Sequence, residues 1–354
     1  MISLVLDNGS GVCKIGFTGD DYPKVYFQSV INNPNTYENL ISSKHQNLIY
    51  PINHGIITNW DDITLIWEKA FNKLNINPSH HPILLTESPL NPQQNTEKMI
   101  ETIYETFNIP SSQIFASSVL SFYSSGRASG LSFDSGDGVT CAVPIIQGYA
   151  LSHAIKRINF AGRDITDILY KLLINKGYYL DNIKIVRKIK EKICYISLDY
   201  NKEINKNIEN ILEKYELPDG RSLSIGDERF KATEWVFQPR NFGFDIDGVD
   251  EMVYKSIMKC NDDVRRVLFG NVVITGGSTM ISGFGERFSK EICNKATGNM
   301  RVKVISLPER SFSTWIGGSI LSSLSSFQNN WVTKDEYYEN GISAVYRKYN
   351  LLKS

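Results

Sequence analysis

Three times an apolar run of strand character stops at a glycine-rich turn. Residues 2–6 lead into Asp7-Asn8-Gly9-Ser10-Gly11, 130–133 into Asp134-Ser135-Gly136-Asp137-Gly138, and 271–274 into Thr275-Gly276-Gly277-Ser278. Turns of this spacing present successive backbone N–H groups to phosphate, because glycine tolerates the dihedrals and lets the backbone come close. The repetition therefore points to a nucleotide. An acidic residue opens the first two turns, and a carboxylate beside phosphate is repelled unless a divalent cation lies between them. A hydrated Mg²⁺ or Ca²⁺ is implied.

Around these turns, strand-like runs (2–6, 83–86, 131–133, 141–146, 272–275, 302–306) alternate with helical ones (62–74, 94–107, 162–176, 183–195, 249–259, 284–296, 315–327). This predicts an α/β chain with a mixed or parallel sheet. The device after 2–6 and the device after 131–133 look like one unit used twice, in two similar halves facing across a cleft whose closure depends on what is bound. At 354 residues the chain exceeds one core and is expected to divide. Residues 201–214 are Asn/Lys-rich, with Ile204, Ile208 and Ile211 on one stripe, and read as a surface helix or loop ahead of a Pro218-Asp219-Gly220 turn.

Lys plus Arg and Asp plus Glu each total 38, which gives no field favouring nucleic acid or an anionic membrane. The five cysteines are scattered without a CxxC pair, as expected of reduced thiols in a cytosolic protein. No charged leader with a long apolar run precedes the first strand, and no run of 18 apolar residues occurs. The expectation is a protein neither secreted nor membrane-spanning. The histidines show no metal-ligand spacing, and the five tryptophans read as core or interface anchors.

Twelve segments in order resemble the actins. They include DNGSGVCKIGFTGDD (7–21), YPINHGIITNWDD (50–62), LLTESPLNP (84–92), SGRASGLSFDSGDGVT (125–140), AGRDITD (161–167), TGGSTM (275–280) and WIGGSILSSLSSFQ (315–328). The resemblance implies the actin, heat-shock-chaperone and hexokinase-type ATPase fold: two similar α/β domains around a nucleotide cleft. It assigns 1–28, 51–124 and 313–354 to an outer large subdomain and 29–50 to a truncated small outer one. Residues 125–160 and 245–312 would form the inner large subdomain, and 161–244 the inner small one.

It further implies that Gly9, Ser10, Gly11 and Lys14 hold the β- and γ-phosphates of ATP or ADP from one side, and Gly136, Asp137 and Gly138 from the other. Asp7 and Asp134 would contact Mg²⁺ or Ca²⁺ through water, and Gly162, Arg187, Lys190, Glu191, Gly277 and Met280 would line the adenosine pocket. Partners would be further copies of the chain or conventional actin, and actin-binding proteins at a cleft walled by Tyr123, Gly126, Gly148, Tyr149, Ile320, Leu321 and Leu324. Phe242 and Phe244 resemble the apolar plug between filament strands. The expected setting is the cytoplasm and the cytoskeleton; the competing expectation is a phosphotransferase of the sugar-kinase kind.

The chain departs from the family's pattern at chemically important places. Ser117 stands where actins carry a water-positioning glutamine, and Cys141 where they carry a relay histidine. The expectation is that ATP binds but is hydrolysed slowly or not at all, since a short hydroxyl would need a second water to reach the same place and a thiol with no cation apparent in the sequence is a poor relay; the alternative is hydrolysis through a rearranged water chain. Ile281 and Ser311 replace a tyrosine and a lysine on the adenine side. Only 20 residues separate Ser29 from Tyr50, where the family inserts a longer domain with the DNase-binding loop. A subunit that accepts a neighbour's loop without offering one would block pointed-end growth.

Overall fold

The computed structural model describes residues 2–32, 48–296 and 300–350. The core of the shortened segment, 33–47, and the extreme end, 351–354, lie outside the described residues, so the expectations placed on them rest on sequence alone.

Two six-stranded sheets repeat one plan. In the outer sheet the first strand, Leu4–Asn8, is antiparallel to Val12–Phe17, which is antiparallel to Val25–Gln28. On its other side Leu4–Asn8 is parallel to Ile83–Glu87, itself parallel to Ser111–Ala116, and Val332–Thr333 closes that edge. In the inner sheet Gly130–Ser135 is antiparallel to Thr140–Ile146 and parallel to Val272–Thr275, which is parallel to Val304–Ser306. Tyr149–Ala150 and Lys156–Ile158 complete the antiparallel side. The unit inferred from the first two glycine turns is thus a duplicated hairpin at the centre of each sheet. Leu4, Val5 and Leu6 are inaccessible on both faces, as a central strand between covering layers requires.

Each sheet has its own apolar core. The outer one gathers Leu4, Leu6, Ile15, Trp67, Ile83 and Ile103; the inner one gathers Leu131, Phe133, Ile165, Val253, Phe284 and Phe288. Local chemistry sets the flanking helices. Trp60–Leu74 begins where the Asn59 side chain accepts from Asp62 N–H, and it ends at Asn75 in the left-handed region (φ 56°). Gly162–Asn175 is opened by Asp164, whose carboxylate accepts the Ala161 N–H at 2.8 Å.

Two helices join the halves. Ser117–Tyr123 packs on the inner sheet, Ser313–Ser323 packs on the outer, and each packs on the other. An ideal Cβ on Gly317 would sit 1.7 Å from the Leu120 carbonyl oxygen, so only glycine allows this approach. Trp315, fully buried, donates its indole N–H to the Val5 carbonyl at 3.0 Å.

Several sequence expectations need correction. The helix expected over 94–107 is α-helical only over Gln93–Glu101 and widens to a π-turn at Thr102–Thr106. Thr102 Oγ1 donates to the Lys98 carbonyl at 2.7 Å, competing with the i→i−4 ladder there. The helix expected over 315–327 starts at Ser313 and stops at Ser323. The polar stretch 201–214 is a short helix, Tyr200–Glu203, a 3₁₀ turn at Ile208–Asn210, and the start of a hairpin, Glu213–Glu216 with Ser222–Ile225. Its isoleucine stripe divides accordingly: Ile211 is buried, and Ile204 and Ile208 are exposed.

Candidate functional site

The three glycine turns converge on one cleft of about 410 Å³ between the halves. Asp7, at the end of the first strand, is buried. One carboxylate oxygen accepts Thr86 Oγ1 at 2.9 Å and the other pairs with Lys14 Nζ at 2.7 Å. Lys14 is the register partner of Asp7 across the hairpin, so strand pairing itself delivers the cation. The turn is then fixed from outside: Ser29 Oγ donates to the Gly9 carbonyl at 2.7 Å, and Gly55 N–H donates to Ser10 Oγ at 2.9 Å.

The second turn meets the first directly. An ideal Cβ on Gly11 would lie 2.6 Å from Asp137 Cβ and 2.8 Å from its Cγ. One on Gly138 would lie 3.0 Å from Ser10 Cβ. The third turn is stitched to the second, with Ser278 Oγ donating to the Gly136 carbonyl at 2.6 Å and Gly162 N–H donating to the same oxygen at 3.0 Å. His54, at positive φ (47°), places Nδ1 2.7 Å from the Gly138 carbonyl.

A residue not singled out in the sequence ties these parts across the cleft. Arg163 donates to Asp137 Oδ2 through Nε (3.1 Å) and Nη2 (2.9 Å), and to the Ser10 carbonyl at 3.2 Å. Its guanidinium also lies 3.8 Å from the centre of the Tyr50 ring. The quoted AGRDITD segment contains it; a basic residue one position into the helix behind a phosphate-type turn is the signal that would have found it.

Asp134, the inner counterpart of Asp7, accepts Thr275 Oγ1 at 2.9 Å. Burial pushes its carboxyl above the usual carboxylate range, against the Thr275 hydrogen bond and the field of Lys14. Among the described residues no group of three or more His, Cys, Asp or Glu could hold a metal. Two carboxylates facing a phosphate-type turn suit a cation that keeps its waters, as Mg²⁺ does. The donor set therefore fits: Asp7 and Asp134 would hold the hydrated cation, which would screen the phosphates.

Ser117 lines the cleft at the start of its helix. Cys141 is the register partner of Asp134 and is buried. Burial first, then the Asp134 charge, pushes its thiol up to about 12. A cation that the sequence does not announce stands beside it, because strand pairing sets Arg157 opposite Cys141, where its charge pulls the thiol down. That pull is outweighed, and the group stays a neutral thiol.

Toward the other end, Gly162, Arg187, Lys190, Glu191, Gly277 and Met280 line the same cleft, with Ile281 and Ser311. They are not alike. Arg187 Nε pairs with Glu191 at 2.8 Å on the cleft side. Lys190 is buried, and its Nζ donates to the Gly162 carbonyl at 2.6 Å. Desolvation brings Lys190 down to about 8. It is a prop beneath the turn as much as a wall of the pocket.

A second, smaller cavity of about 120 Å³ gathers Tyr123, Gly148, Tyr149 and Leu321 with Phe115 and Phe327. Gly126, Ile320 and Leu324 do not line it; Ile320 and Leu324 are exposed close by in sequence. Phe242 and Phe244 pack on Trp235, with ring centres 4.7 and 4.5 Å away, and Phe244 remains partly exposed.

Comparison with known families agrees with this geometry. The family described as Actin matches residues 1–182 and 179–350, two stretches that span nearly all of the chain. With two duplicated α/β halves and one shared cleft behind that match, the chain belongs to the actin family.

Proposed function

We propose that the protein binds ATP or ADP with a divalent cation in the main cleft and uses the nucleotide as a switch for assembly, as a cytoskeletal filament subunit or a filament-end or complex-bound relative. The observation that carries this reading is the direct contact of the two phosphate-type turns at Gly11 and Asp137, with a carboxylate on each side, Asp7 buried and Asp134 partly buried. Phosphates bound across them would meet backbone N–H groups from both halves. Binding would thereby hold the halves together. Proteins of the actin family generally bind ATP or ADP with a divalent cation.

Hydrolysis is expected to be weak. Phosphoryl transfer to water rests on positioning and electrostatics, and the places that matter hold a short hydroxyl at Ser117 and a buried neutral thiol at Cys141. Glu87, a cleft carboxylate outside the metal pair, is bonded to Thr96 Oγ1 at 2.6 Å and Asn91 Nδ2 at 3.0 Å, which does not favour it as a sugar-kinase-like base. The smaller cavity and the aromatic group at Trp235, Phe242 and Phe244 supply apolar surface for a neighbouring subunit or an actin-binding protein. The setting we assign is the cytoplasm. ATP binding measured by displacement of a fluorescent analogue, followed by sedimentation with and without ATP and Mg²⁺, tests the reading. Absence of nucleotide binding at millimolar ATP would overturn it.

A further inference from the structure

Ser88 sits on the floor of the main cleft, where the two phosphate-type turns meet. It lines the cavity together with Ser117, Gly55 and Val139. An ideal Cβ on Gly55 would lie 2.8 Å from Ser88 Oγ and 3.0 Å from Val139 Cγ1, which seats Gly55 beside both this hydroxyl and the inner half. Gly55 N–H in turn donates to Ser10 Oγ in the first turn at 2.9 Å, and Val139 directly follows the second turn.

The hydroxyl is held from behind. Arg157 Nη1 donates to Ser88 Oγ at 3.3 Å, and to the neighbouring Pro89 carbonyl at 2.7 Å. A serine hydroxyl offers one donor and two acceptor positions. Arg157 takes one acceptor position, which leaves the hydroxyl hydrogen and a second acceptor position for the cavity.

We propose that Ser88 is a positioning residue for the water that attacks the terminal phosphoryl group, with Arg157 fixing its hydroxyl. The inference rests on the nucleotide reading above. Ser88 would bond that water, and the residual hydrolysis of the chain would pass through this contact.

The test compares the whole protein with Ser88→Ala and Ser88→Cys, the second of which keeps a weak donor. ATP affinity, single-turnover phosphate release and trapping of ADP with aluminium fluoride are measured on each. Losing one neutral hydrogen bond to the water predicts release slowed about tenfold and trapping weakened about tenfold in Ser88→Ala. ATP affinity stays within about twofold, because the ground-state contacts remain, and Ser88→Cys falls between. No ATP binding by the unaltered protein overturns the nucleotide reading and this inference with it. ATP bound normally, with release and trapping the same in Ser88→Ala, or no release in either protein, overturns the inference alone. A fall in ATP affinity equal to the fall in rate also overturns it, because that is the signature of a structural role.

Discussion

Gly11→Ala is the sharpest probe of how the halves meet. The added methyl would lie 2.6 Å from Asp137 Cβ and 2.8 Å from Cγ, closer than carbon atoms approach. Asp137 cannot swing aside freely, since Arg163 grips its Oδ2 at 2.9 and 3.1 Å. The variant must therefore part the two turns or break that grip. Overpacking of this kind costs about 1–3 kcal/mol. At about 2 °C per kcal/mol for a chain longer than a small domain, Tm falls by roughly 2–6 °C. Backbone N–H bonds to phosphate are charge-assisted and worth about 1.5–3 kcal/mol each, so losing one from a parted turn weakens ATP binding at least about tenfold. Gly277→Ala is the control: it also lines the cleft, but nothing lies within 4 Å of its ideal Cβ. It should leave Tm unchanged. Thermal denaturation without ligand, followed by ATP titration, separates the two. A Gly11→Ala protein as stable as Gly277→Ala, binding ATP as tightly as the unaltered chain, would refute the contact between the turns.

Arg163→Ala removes the cross-cleft tie and leaves Asp137 with only the longer 3.8 Å pairing to Arg187; nucleotide dissociation should speed up at least about tenfold, read by stopped-flow release of a fluorescent analogue. Four of the cysteines are buried and Cys293 is exposed, so a thiol reagent should label one group quickly in the native protein and all five after denaturation. Burial raises Cys13, Cys141 and Cys194 to about 12 from an ordinary 9.0. Their contribution to stability is present below pH 9 and lost between pH 9 and 12, at up to about 1.4 kcal/mol per pH unit for each thiol, as urea melts at stepped pH will register. Lys190 acts oppositely, because its lowered value makes stability rise from about pH 8 toward 10.5; Lys190→Met should therefore steepen the alkaline decline. Ser117→Gln restores reach toward the water and should raise phosphate release at least about tenfold without tightening ATP binding; an unchanged rate would count against the reading of that position.

Much of the site was legible because glycine turns after apolar strands carry their own chemistry. Asp7, Gly9 and Ser10, and likewise Asp134, Gly136 and Gly138, stand at strand ends that any α/β arrangement brings to one edge. Less legible was what depends on pairing between distant segments. Nothing near Cys141 in sequence announces Arg157, which reaches it only through the antiparallel register of Thr140–Ile146 with Lys156–Ile158. The strands at Val12–Phe17 and Ser111–Ala116 lack an apolar strand pattern, because glycine interrupts the first and polar residues fill the second. Yet Ser112 and Gln113 are buried there, satisfied by Tyr104 and by the Asn330 carbonyl. Lys190 shows the reverse case, a helix-face lysine by pattern that is buried by its bond to Gly162. Tertiary context overrode the local pattern each time.

The duplication also explains why the cleft is incomplete by itself. The two halves share a hairpin in which an aspartate ends the first strand, and in each the residue opposite that aspartate comes from the second strand. In the outer half this residue is Lys14, and Asp7 is neutralised within its own sheet. In the inner half it is Cys141, so Asp134 has a threonine hydroxyl and no cation of its own. The nearest compensating charge is Lys14 from the other half, and without more the Asp134 carboxyl is pushed toward its protonated form. Two changes would relieve it: closing the halves, which brings Lys14 nearer, or admitting a hydrated divalent cation between Asp7 and Asp134. Both favour the same closed arrangement, so cation binding and closure should reinforce one another and the filled protein should melt higher by an amount set by ligand concentration over Kd. An inner half with lysine at 141 would be satisfied empty, and Cys141→Lys should lose most of that ligand-dependent gain.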